Sequence, residues 1–210
     1  MIRLDINELL LDKNITRIRQ IINNHGLICY PTDTLYGLGG NFHSRIVGNK
    51  IDCLKQRKEL PYSVAISGIR MLDSLVETIP GIFHTLAREL MPGKFTFLMP
   101  ACSRLPKLLL RNSAKIGIRI PDLPEILEFI SILDLPIIST SVNRKGQLPL
   151  NDPDLIAAQF PEIDLLIDSG PLEKSRGSTI LDLTRIPVTC IRRGDDFDKL
   201  ESLDIRIQFN

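Results

Sequence analysis

The chain has 210 residues, 43% hydrophobic and 24% charged, an ordinary balance for a globular protein with a sizeable core. Its net charge of +1 excludes a global basic field, so any nucleic-acid contact has to come from a local patch. Cys29, Cys53, Cys102 and Cys190 form no CxxC pair, His25, His43 and His84 complete no zinc pattern, and no apolar run approaches about 18 residues. These features predict reduced core cysteines, no resident metal, no membrane span and a cytosolic location.

Strands and helices alternate along the chain. Asn14 is placed to cap a helix with Ile15, Ile18, Ile21 and Ile22 on one face, stopped by Gly26. Leu27–Cys29 reads as a strand and runs into the loop Tyr30–Gly40. Ser44 caps a second helix, with Ile46, Val47, Ile51 and Leu54 inward and Lys55-Gln56-Arg57-Lys58 at its frayed C-terminal end, where cations suit the helix dipole. Tyr62–Ile66 is a predicted strand, Pro80–Met91 a helix, and Phe95–Met99 and Lys115–Ile120 strands. Asp122 caps a helix to Leu133 with Pro124 near its start, and Ile137–Thr140 is a strand leading into Ser141 and Asn143. Asn151-Asp152-Pro153 opens one more helix. Leu165–Asp168, Thr179–Leu183 and Val188–Arg192 are the last strands, followed by an acidic surface tail. Only four residues separate the final two strands, which predicts a hairpin and hence a mixed sheet. The expected fold is therefore a single α/β domain over residues 1–210, with a twisted mixed parallel and antiparallel sheet flanked by helices.

Four polar clusters fall at strand or helix ends. Tyr30-Pro31-Thr32-Asp33-Thr34-Leu35-Tyr36-Gly37 joins hydroxyls and a carboxylate to flexible backbone, which suits a small-molecule site or a capped turn. Lys55-x-Arg57 pairs a point charge with a fork of donors, a combination that suits phosphates. Ser139-Thr140-Ser141-Val142-Asn143 packs hydroxyls and an amide behind a strand. The fourth cluster is split between Ser178-Thr179 and Arg192-Arg193, and alternation should send only one of those two arginines inward. Arg119 lies within an apolar strand and needs an anionic partner, either a structural carboxylate or a ligand. No Ser-His-Asp or Cys-His arrangement is apparent. The inventory is one of hydroxyls and cations without an evident general base, and suits anion binding and nucleotidyl transfer by positioning and electrostatics.

The ordered set Tyr30–Gly39, Lys55-x-Arg57, Pro92–Phe97, Ile118–Pro121, Ser139–Asn143, Ser178–Asp182 and Ile191–Gly194 resembles the YrdC-like family from about residue 26 to 194, leaving 195–210 as a tail. The resemblance implies the family's fold around a wide, positively lined cavity, in the short single-domain form. It also implies a nucleotidyltransferase, a threonylcarbamoyl-AMP synthase acting on L-threonine, bicarbonate and ATP. Its product would serve modification of a tRNA adenosine beside the anticodon, with tRNA or tRNA-modification proteins downstream. By motif, Thr32, Arg119, Ser139 and Ser178 correspond to the threonine-binding set. Lys55, Arg57, Ser141, Asn143 and Arg192 correspond to the ATP-binding set, with Lys55 and Arg57 as the catalytic residues. Magnesium is expected to come with the nucleotide and not from a protein cage. Lys58, the short segment Lys58–Ser63, Val142 and Arg144-Lys145-Gly146 depart from the family pattern. The competing expectations are a diverged YrdC-like paralogue without synthase activity and an RNA-binding or ribosome-maturation factor, whose RNA affinity would be salt-sensitive.

Overall fold

A computed structural model describes residues 1–56, 61–105, 110–203 and 205–209. Its strands are β1 (Ile2–Asp5), β2 (Ile28–Tyr30), β3 (Gly37–Gly39), β4 (Ser63–Ala65), β5 (Phe95–Pro100), β6 (Lys115–Arg119), β7 (Ile137–Ser141), β8 (Leu165–Asp168), β9 (Thr179–Asp182), β10 (Val188–Arg192) and β11 (Ile207–Phe209). The described helices are α1 (Asp12–Asn23), α2 (Arg45–Lys55), α3 (Ile82–Leu90), α4 (Pro124–Leu133) and α5 (Pro153–Gln159). The described strands form one sheet in the order β1-β8-β2-β3-β7-β4-β6-β5-β9-β10-β11. Pairing is mixed: β8 is parallel to β1 and β2, while β3 runs antiparallel to both β2 and β7. The hairpin expected from β9 and β10 is present.

Both faces of the sheet are packed, so successive residues along a strand enter opposite cores. Cys29, Ile138 and Leu166 join one apolar cluster; Tyr30, Ile137 and Leu165 join the other, together with Ile18 and Ile22 of α1 and Ile126, Phe129 and Ile130 of α4. Capping follows the sequence in part. Ser44 accepts from the Val47 amide at 3.3 Å and caps α2, and Asp152 caps α5. Asn14 is not a cap. The helix opens at Leu11, because a 3₁₀ turn over Ile6–Glu8 feeds straight into it, and Asn14 donates to the Glu8 carbonyl at 2.7 Å. Leu123 takes the capping position expected of Asp122, ahead of Pro124. Ile46 is 49% exposed rather than inward, and Cys53 is exposed while the other three cysteines are buried, all four as free thiols. The C-terminal tail is more than a surface strip: Phe197 and Leu200 are buried, and β11 adds to β10.

Strand β3 forms where the sequence predicts a loop, and its packing explains one glycine. A Cβ on Gly39 would meet the Ile138 carbonyl oxygen at 1.8 Å, so only glycine lets β3 lie this close to β7.

Candidate functional site

One face of the sheet changes character along its width. Over β1, β8 and β2 it is covered by α1 and α4. On β7 the same side-chain parity runs from buried, apolar Ile137 to Ser139 and Ser141; on β4 it runs from Ala65 back to Ser63. On β6, Ile116 and Ile118 enter the opposite core, which leaves Gly117 and Arg119 on this face. Hydroxyls and cations therefore replace apolar residues where the helices stop. A cavity of about 440 Å³ lies there. Its floor is tightly fitted: a Cβ on Gly117 would meet Ser63 Oγ at 2.8 Å and Thr96 Cγ2 at 3.2 Å.

Thr32, Arg119, Ser139, Ser141, Ser178 and Arg192 all line this cavity, so the fold brings together residues 160 positions apart in sequence (192 − 32). Lys55 and Asn143 lie beside Ser141. The Lys55 ammonium donates to the Ser141 carbonyl, to Asn143 Oδ1 at 2.8 Å and to the Asn143 carbonyl at 3.2 Å; Ser141 Oγ donates to Asn143 Oδ1 at 2.7 Å. The end of α2 is closed and not frayed. Gln56 adopts a left-handed conformation and returns its amide to Asp52 and Cys53, and Lys55 is 2% exposed. Arg57 lies outside the described residues.

The opening loop is a self-bonded turn. Thr32 Oγ1 accepts from the Thr34 and Leu35 amides, each at 3.2 Å, and donates to the Leu35 carbonyl at 2.7 Å. That uses the donor and both acceptor positions of the hydroxyl. Thr32 and Thr34 line the cavity, whereas Asp33 between them does not; its Oδ1 accepts from Arg119 Nη2. The buried arginine thus has a structural carboxylate and also faces the cavity.

Arg192 donates to the Ser178 carbonyl through Nε at 2.9 Å and Nη2 at 2.7 Å, and to Ser178 Oγ at 3.1 Å. Ser178 Oγ also lies 2.8 Å from Thr96 Oγ1. Burial pulls the Arg192 pKa down and the nearby positive charge of Arg119 adds to this, against the opposing pull of Asp195. A bulge between Cys190 and Arg192 decides which of the two adjacent arginines turns inward. Without it Arg192 would share the core face of Cys190; with it Arg192 pairs with Ile180 on the cavity face. Arg193 instead stacks between Phe197 and Phe209, with ring centroids at 4.8 and 4.9 Å. Beneath the cavity, burial raises the Tyr30 phenol to about 12, so it stays protonated, opposed by Ser139 and Arg119.

Sequence reasoning did not identify Ser63, Thr96 or Arg176 as lining residues, nor the role of Asp33. The alternation along β4 and β5 was the signal available for Ser63 and Thr96. A second network, in which Asp52 accepts from both Tyr62 and Arg111, ties α2 to the segments at 61–62 and 110–111, and no local pattern announces it. Chemically the cavity offers hydroxyls, backbone groups and the guanidinium groups of Arg119, Arg176 and Arg192, an arrangement for binding anions.

The family model for Sua5, YciO and YrdC domains, described as telomere recombination, matches residues 20–194. The chain belongs to this family. It is 28% identical over 170 residues to the threonylcarbamoyl-AMP synthase of Pyrococcus abyssi, an alignment covering 80% of this chain and 50% of that protein. The chain thus spans about half the length of this curated relative. The crystal structure of P. abyssi Sua5 complexed with L-threonine superposes with a TM-score of 0.90 at 26% identity, covering 99% of this chain and 63% of that one. The crystal structure of Escherichia coli YciO, a protein described as uncharacterized, superposes with a TM-score of 0.78 at 26% identity, covering 87% and 90%. The mixed sheet with flanking helices is the architecture of these structures.

Proposed function

We propose that this chain is an L-threonylcarbamoyladenylate synthase, forming threonylcarbamoyl-AMP and pyrophosphate from L-threonine, bicarbonate and ATP. The observation that carries the reading is the meeting of Arg119, Ser139 and Ser178 in one cavity, in a fold shared with a Sua5 crystallised with L-threonine. Arg119 would hold the amino-acid carboxylate, and the Ser139 and Ser178 hydroxyls would orient the remaining polar groups. The threonine amine captures CO₂ derived from bicarbonate as a carbamate. A carbamate oxygen then attacks the α-phosphate of ATP, the bond to the bridging oxygen breaks, and pyrophosphate leaves with the electron pair.

Lys55, Arg57 and Arg192 would stabilise charge on the phosphate oxygens, with Ser141 and Asn143 completing that side. The Asp33 carboxylate is engaged by Arg119, and among the described residues no group of three His, Cys, Asp or Glu could hold a metal. In this reading a magnesium ion arrives on the nucleotide. That ion would supply charge neutralisation at the phosphates. The product would supply the threonylcarbamoyl group for a tRNA adenosine beside the anticodon, in the cytoplasm.

The test is pyrophosphate release on incubation with ATP, bicarbonate and L-threonine. Threonine-dependent release is expected. Release independent of threonine, or none where a control synthase works, would defeat the reading.

A second reading, a diverged paralogue without this activity, is favoured by the nearly full-length match to YciO at the same identity. It predicts that the cavity binds anionic ligands but forms no adenylate.

A further inference from the structure

The sheet face that holds the cavity carries a buried ion pair in which each partner is left incomplete. The Asp33 and Arg119 side chains are each 8% exposed. Contact is through one nitrogen and one oxygen, Arg119 Nη2 to Asp33 Oδ1. Asp33 Oδ2 and Arg119 Nε are buried and, among the described residues, have no hydrogen-bond partner. Structural arginine–carboxylate pairs commonly close as a two-bond fork, which here would satisfy both orphaned atoms. A buried polar atom left unsatisfied is costly, so an arrangement that leaves two of them on one pair has to be held from elsewhere.

The opening turn does this. Thr32 Oγ1 bonds to Thr34 N, Leu35 N and Leu35 O, which fixes the backbone on both sides of Asp33. Arg119 at the end of β6 is fixed by the ladder to β4, where it lies opposite Ala65. With both backbones set, Asp33 grips one side of the guanidinium, and Arg119 still lines the cavity.

From this geometry we infer that Asp33 is a positioning residue: it holds Arg119 by one nitrogen from behind, so that the rest of the fork is aimed into the cavity to receive a ligand carboxylate. Its role is orientation, not contact with the ligand, since Thr32 and Thr34 line the cavity and Asp33 does not. The identity of that ligand as L-threonine rests on the function proposed above; the aiming of Arg119 does not. A carboxylate is the ligand class that a half-occupied guanidinium fork selects, because two parallel N–H donors match its two oxygens.

The experiment compares the wild-type chain with D33A and D33N. Asn keeps an oxygen where Oδ1 sits but removes the charge. Titration calorimetry with L-threonine and, separately, with ATP should show D33A weakening L-threonine by about tenfold or more, the loss expected for a hydrogen bond to a charged group. D33N should stay within about threefold of wild type by the same reasoning, and ATP affinity should be unchanged in both. Equal losses for L-threonine and ATP, an L-threonine affinity in D33A equal to wild type, or a D33N defect as large as that of D33A would each overturn the inference.

A second readout needs no ligand. ¹⁵N NMR of the Arg119 guanidinium should show restricted rotation in wild type and D33N and free rotation in D33A; unchanged rotation in D33A also overturns it. If wild type binds no L-threonine, the proposed function fails, and the NMR comparison alone decides the role of Asp33.

Discussion

Two buried cations flank the cavity, and they differ in kind, one a planar fork and the other a point charge. Arg119 is held by a carboxylate, Asp33, so the pair is close to neutral before any ligand arrives. Lys55 donates to two backbone carbonyls and the Asn143 amide oxygen. A guanidinium with a spare edge selects by shape, whereas an ammonium offers a compact point charge. On the proposed function this division fits the two substrates. An amino-acid carboxylate needs orientation; a triphosphate and a leaving pyrophosphate need charge stabilisation. The same contrast predicts different consequences when each cation is removed.

R119A should do the most damage. It deletes the carboxylate anchor and also leaves Asp33 buried without its counter-ion. Threonine-dependent pyrophosphate release should fall by about 10³-fold, and stability by about 3–5 kcal/mol as measured by chemical denaturation. A variant that kept its stability would show that the Asp33 pair is not the buried pair seen here. K55A should cost about 10²-fold in pyrophosphate release, because it removes a point charge from the phosphate side. A K55A variant with unchanged pyrophosphate release would sink the assignment of Lys55 to the phosphate side. The R192K variant is next. Lysine keeps the charge but not the pair of bonds from Nε and Nη2 to the Ser178 carbonyl, so a loss of about tenfold in turnover is expected, visible mainly in the ATP dependence.

How much of this was legible in the sequence depends on range. Arg119 announced itself, because an arginine among Ile116, Ile118 and Ile120 has to have an anion, and Asp33 proved to be that partner. Most strands were readable from apolar runs, since both sheet faces are buried and alternation is replaced by continuity. The strands β1, β3 and β11 were missed. β3 is Gly-Leu-Gly, whose composition argues against a strand until Ile138 is known to press against it. β1 alternates between half-buried and exposed residues at the sheet edge, and β11 is three residues long. In the site, Lys55 and Arg192 were found as cations but not in their settings. The closure of α2 by left-handed Gln56 and the bulge that turns Arg192 inward are products of tertiary packing, which local propensity does not carry. Ser63 and Thr96 were missed because a lone hydroxyl in a strand acquires meaning only once neighbouring strands are in register.

The smallest expected effect comes from an ion pair outside the cavity, which serves as the control for the cations at the site. Lys115 Nζ donates to Asp182 Oδ2 at 2.5 Å on the same sheet face, but neither residue lines the cavity. Burial alone would raise the Asp182 pKa. The hydrogen bonds from Lys115 and Thr184 outweigh it, so Asp182 lies below the ordinary carboxylate range. A depressed folded-state pKa means stability that is fully present above the unfolded value of about 3.9 and is lost as pH falls through the folded value. D182N should therefore leave pyrophosphate release unchanged and cost about 1–3 kcal/mol at pH 7 in a denaturation experiment. Its deficit relative to wild type should shrink as the pH drops below about 4. A deficit that stayed constant into acid would mean that Asp182 acts through shape and not through charge. A loss of activity at pH 7 with folding intact would mean that the face beyond the cavity takes part in the reaction after all.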